Sequence, residues 1–374
     1  MNNIDNLLAT KLQYRLCRKS IHSLSSIQSI VKECCDVLGT KEPTILFCES
    51  ITKDFQAFGL RNEKFFIYDS GLMETLYLYN CIVFSGFIES DMDKFFYKLF
   101  GEELILRMDI PNAMYFIGKY NNMEFSFDQN EFDNSKIREY LSIQNYFLIG
   151  HELTHLTLQE KENSEIPKEY EKFVIAALAL FTERAVDTDR NIKEVLSERA
   201  GYFLDISPSS IEEYAEMLKY SDKFHHFLEE CYCDYMGFKL LIENYENAGQ
   251  SINAIISALS CLITLESIRN DIRDGIEFIK DGNRIADLAM YFSVLRTQIL
   301  LCTIEISKLD TVAALNGVHK RSKITDRLID FIQNLPSKDS FAVLSENDLP
   351  QLSKKTMLDV MIKQLYYISI SSEF

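Results

Sequence analysis

FLIGHELTHLTLQ, residues 147–159, carries two of the chain's six histidines four positions apart, with a glutamate directly after the first. On an α-helix, positions i and i+4 stand one turn apart on one face, so His151 and His155 can aim both imidazoles at one point. That pair is a platform for a metal ion. Glu152, one step round the helix, is badly placed as a ligand but can reach a water held by the metal, which is where a general base belongs. Apolar Phe147, Leu148, Leu153 and Leu156 flank the motif and put it on a buried helix. The competing reading is a pair of core histidines bonded to backbone carbonyls.

A catalytic zinc usually has three protein ligands and an open position, so a third ligand is required. FLEECYCDYMGFKLL, residues 227–241, offers Glu230 and Asp234 at i and i+4 on one helical face. Glu230 would ligate the metal, and Asp234 would accept the outward N–H of a ligand histidine, His151, fixing its tautomer. Phe227, Leu228, Cys231, Tyr235 and Phe238 surround the two acids, and a buried carboxylate needs a partner. His226 and Glu229 stay open as alternatives to Glu230. Cys231 and Cys233 point in directions about 200° apart on a helix, so they read as small core residues.

The 374 residues are 47% hydrophobic, enough for a large packed core. Thirteen Gly and six Pro, with long runs of helical periodicity, indicate a mainly α (α+β) protein. Nine cysteines, an odd number with pairs too close for a disulfide framework, indicate a reducing compartment and a cytoplasmic location. No secretory signal precedes the first helix, and runs such as FVIAALALF (173–181) are too short to span a bilayer, so no membrane insertion is expected. A net charge of −17 repels a phosphate backbone and argues against a nucleic-acid partner.

Along the chain, residues 4–38 read as one or two amphipathic helices closed by Gly39. PTILFCES, FQAFGL and KFFIYDS, between 43 and 70, read as a small antiparallel sheet. Helices follow at 71–84, 88–107 and about 133–160, with β character at 113–127. Beyond 160 nearly everything is helical: 167–186, 190–204, 209–246 with a break near Ser221, 249–281, 284–309, 320–334 and 353–371. The division is an N-terminal helical extension, 1–40, and one domain, 41–374, in which 160–220 is an inserted helical cap.

HELTH followed by Glu230-x-x-x-Asp234 resembles the Glu-zincin metallopeptidases, with Cys233 and Gly237 keeping small residues around Asp234. FQAFGLRNEKFFIYDSGLMETL (55–76) is similar to the strand–strand–helix passage of soluble relatives of the CAAX endopeptidases. That resemblance implies that residues 64–69 form the sheet edge over the zinc helix and take an extended peptide by strand addition. The order of parts also resembles the bacterial phage-exclusion peptidases, whose final element would fall on VHKRSKITDRL. It implies His319 or Arg327 as an oxyanion donor, although Arg327 stands eight residues after His319 where the related pattern has six.

The function expected from these residues is zinc-dependent cleavage of an intracellular protein or peptide substrate, in a bacterial stress or phage-defence role. Zn²⁺ would sit on His151, His155 and Glu230, with Glu152 passing a proton from water to the leaving amine. The alternatives are a non-hydrolytic zinc-binding or regulatory protein, whose closed site would recruit Cys231, Cys233 or His226, and a peptidase silent until an activating partner triggers it.

Overall fold

A computed structural model describes residues 21–48, 51–60, 63–107, 109–127, 134–160, 166–181, 215, 218, 223–245, 248–274, 288–306, 323–324 and 326–335. The expected helices at 190–204 and 353–371 lie outside the described residues. The protein is mainly α with one small sheet.

Helix α1 (Ile21–Leu38) ends at Gly39, whose φ of +64° suits glycine. Three strands follow: β1 (Thr44–Cys48), β2 (Gln56–Leu60) and β3 (Glu63–Asp69). Their order is β1-β3-β2, with β1 parallel and β2 antiparallel to β3. The sheet is therefore mixed rather than antiparallel. Residues 64–69 are not an edge, because β3 pairs on both sides and β2 is the strand with an open edge against the histidine helix. The physical reason is hydrophobicity: Phe65, Phe66 and Ile67 of β3 are all buried, as a strand covered on both faces requires.

Asp69 leads directly into α2 (Ser70–Phe84), its side chain accepting the Gly71 N–H at 2.9 Å as an N-cap. Helices α3 (Glu89–Leu106) and α4 (Ile110–Asn122) come next. Residues 113–122, expected to have β character, are helical: Pro111 starts the helix, and Ala113, Tyr115 and Phe116 bury one face against α3. Long α5 (Asn134–Glu160) carries the two histidines, followed by α6 (Lys168–Phe181), α7 (Phe224–Asn244), α8 (Ala248–Asp274) and α9 (Leu288–Ile306).

Helix α5 runs through the main core, flanked by α1, α2, α7, α8 and β2. Its first half is keyed by a buried polar network: Asn80 of α2 donates to Gln144 (2.9 Å), Gln144 donates to the Ala254 carbonyl (3.0 Å), and Ser257 donates to Asn80 (2.7 Å). A second core joins α6, α7 and α9 through Val174, Leu178, Phe227, Cys231, Val294 and Ile299. Residues 249–269 of α8 are apolar enough to cross a membrane by length and composition, but 83% of the apolar window is buried inside the protein. Core packing explains their character.

Candidate metal centre

Helix α7 reaches the histidines because α5 and α7 touch backbone to backbone. A methyl group on Gly237 would stand 2.7 Å from the Phe147 carbonyl oxygen and 3.1 Å from the His151 nitrogen. Gly237 lies three residues after Asp234 and seven after Glu230, on the same face of α7. Closure at that glycine turns both acids towards His151 and His155.

The two Nε2 atoms lie 3.2 Å apart, His155 Nε2 is 3.2 Å from Glu230 Oε1, and His151 Nε2 is 3.6 Å from Glu230 Oε2. Ligand atoms held tetrahedrally at about 2.0–2.1 Å from zinc stand roughly 3.4 Å from one another, so the group fits a metal with little adjustment. The tautomers fit too. His151 Nδ1 bonds Asp234 at 2.9 Å and His155 Nδ1 bonds Glu229 at 2.8 Å, which leaves both Nε2 lone pairs facing inward beside a carboxylate. With both rings neutral, such a set repels itself unless a cation, a metal ion or a proton, sits between its members. This His–His–Glu group can hold a metal ion, and among the described residues it has no fourth member.

The rivals to Glu230 are placed elsewhere. Glu229 braces His155 from outside the group, and His226 is 65% exposed, 4.0 Å from Glu230 and stacked on Phe292. Cys231 and Cys233 are buried, and burial raises both thiols well above their ordinary range. They are core residues.

Arg296 of α9 was not anticipated from the sequence. Its Nε and Nη2 grip Asp234 at 3.0 and 2.9 Å, and its Nη1 lies 2.6 Å from Glu230 Oε2. Burial opposes charge on Glu230 and Asp234, but Arg296 and the histidines outweigh it and hold both carboxyls below their usual range. A signal existed in YFSVLRTQILLC (291–302), where one arginine interrupts an apolar helix and must find a buried anion. His151 is pulled two ways: burial favours the neutral ring, yet bonds to Asp234 and Glu230 push its pKa up to about 10. Without a metal, the carboxylates attract positive charge to this spot.

Glu152 lines a cleft of about 450 Å³ together with His151, His155 and Glu230. Its Oε2 accepts the backbone N–H of Ala57 at 3.1 Å, so that N–H points outward from β2 and away from β3. Burial pushes its pKa up to about 7, with the histidines opposing. That suits a group which must both take and give a proton near neutrality.

Arg327 is not in the cleft. It forms a forked ion pair with Asp93 at 2.8 and 2.6 Å and reaches Glu89 at 3.2 Å, on the surface of α3. It cannot serve an oxyanion at Glu152, because two carboxylates already fix its guanidinium elsewhere. His319 lies outside the described residues. No protein-family model matches the chain, and no curated protein or solved structure is significantly similar to it.

Proposed function

We propose that the protein is a zinc-dependent peptidase. The observation that carries this reading is the placement of Glu152, in one cleft with a three-membered His–His–Glu group and directly beneath the open edge of β2. Two imidazole nitrogens and one carboxylate suit zinc, and three protein ligands leave a position for water or substrate. When bound, the metal would supply Lewis acidity to the scissile carbonyl and acidify the attacking water.

The chain's own residues do the rest. Asp234 and Glu229 hold the two imidazoles in one tautomer, and Arg296 holds Glu230 and Asp234 in place. Glu152 accepts the proton of the attacking water and delivers it to the departing amine. The outward edge of β2, past the Ala57 N–H that Glu152 holds, offers backbone groups to an extended peptide by strand addition. The motif resemblance to Glu-zincin peptidases points the same way.

The test compares wild type with Glu152→Gln by proteome-wide mapping of new peptide termini in a bacterial host, with zinc content measured on both proteins. Termini made by the wild type and not by the zinc-replete variant support the reading. Equal cleavage by both overturns Glu152 as the base, and no new termini from a zinc-loaded wild type argues for a binding protein.

A further inference from the structure

We infer that Glu266 selects a basic side chain, lysine or arginine, in the bound peptide; this deepens the peptidase reading and rests on it. Helix α8 presents Leu259, Leu262, Ile263, Glu266 and Arg269 to the cleft, a stripe at helical spacing. Nearly every other charged side chain lining that cleft is committed. Lys53 pairs with Glu102 at 2.7 Å, Arg269 bonds the Thr52 carbonyl and approaches Glu103, Arg296 holds Glu230 and Asp234, and Glu229 braces His155. Glu266 makes no hydrogen bond or ion pair with any described residue.

Its position gives the free carboxylate a use. Arg269, three residues further along α8, reaches the Thr52 carbonyl, so this stretch of α8 lies beside residues 52–57, where the chain enters β2, and Glu266 lines the same cleft as residues 53–57. A peptide laid along β2 would pass this point. Leu259, Leu262 and Ile263 offer an apolar wall for a methylene stem, and Glu266 offers an anion for its tip, which is the amphipathic build of lysine and arginine. A net charge of −17 draws cationic peptides in the same direction.

The experiment uses full-length, zinc-loaded Glu152→Gln protein and fluorescein-labelled peptides of sequence Ala-Leu-Ala-X-Ala-Leu-Ala, with X lysine, norleucine or glutamate, read by anisotropy. A charge-assisted contact predicts about tenfold tighter binding of the lysine peptide than of its uncharged isostere. Adding Glu266→Gln should remove that difference, and Glu266→Lys should turn the preference towards glutamate. Equal binding of lysine and norleucine, a preference that survives Glu266→Gln, or no binding of any peptide overturns the inference. Incubating the same peptides with Glu152-intact protein separates the two claims. Lysine preference without cleavage sinks the peptidase reading alone, and cleavage without preference sinks the role of Glu266 alone.

Discussion

Where α5 crosses α7, Gly237 stands so close to Gly150 that a methyl group on Gly150 would lie 3.2 Å from the Gly237 Cα. This contact sets the distance between the helix that carries His151 and His155 and the one that carries Glu230 and Asp234. Gly237→Ala meets the Phe147 carbonyl, a backbone atom that cannot swing aside, so the helices must part. The expected cost is about 1–3 kcal/mol of stability with weakened zinc retention. Gly59→Ala, where a methyl meets nothing within 4 Å, should leave the melting temperature nearly unchanged. Thermal melts and metal analysis of the two variants check the contrast.

Removing Arg296 leaves Asp234, 1% exposed, with His151 as its only partner among the described residues. Breaking a buried pair of this kind from one side costs about 3 kcal/mol. Arg296→Met should therefore lower the denaturant midpoint and loosen zinc, measured by chelator competition. Arg296→Lys restores charge without the forked geometry and should recover only part of either loss. An unchanged chelator midpoint in both variants would mean that Arg296 does not position the centre.

Arg327 gives the opposite expectation. Its ion pairs with Asp93 and Glu89 are partly exposed, and such pairs contribute about 0–1 kcal/mol. Arg327→Ala should keep zinc content and cleavage at wild-type levels. A large loss of cleavage with stability intact would return this residue to the active site.

Acid stability follows from Glu102, a buried carboxylate held by Lys53 and Lys98. Burial favours its neutral form, but the two ammonium groups outweigh it and lower its pKa. A depressed folded pKa contributes stability above the unfolded value of about 4.3, and that contribution fades as pH falls through and below it. Glu102→Gln should be clearly less stable than wild type in urea at pH 7, with the gap narrowing only as pH falls below about 4. A gap that stays constant with pH would show that the charge on Glu102 contributes nothing.

Local pattern made much of this protein legible. His151, Glu152 and His155 share one buried helix, and Glu230 and Asp234 share one face of α7, because both spacings are fixed by helical periodicity; that the two helices meet is set by the crossing at Gly150 and Gly237. Strand order is not so fixed. The continuous apolar run FFIY marked β3 as the covered, central strand, but resemblance to other proteins assigned it to the edge. Arg296 was legible only as a charge out of place in an apolar helix, since its partners lie more than 60 residues away in sequence. Arg327 failed as a site residue for the converse reason: a helical arginine in sequence reveals nothing about Asp93, 234 positions distant.

Metal analysis of the purified chain tests the centre most directly. The account predicts one zinc per chain in wild type and in Glu152→Gln, little or none in Glu230→Ala, and no loss in His226→Ala. A chain that binds no metal, or one that keeps zinc without Glu230 and loses it without His226, contradicts a centre built on His151, His155 and Glu230.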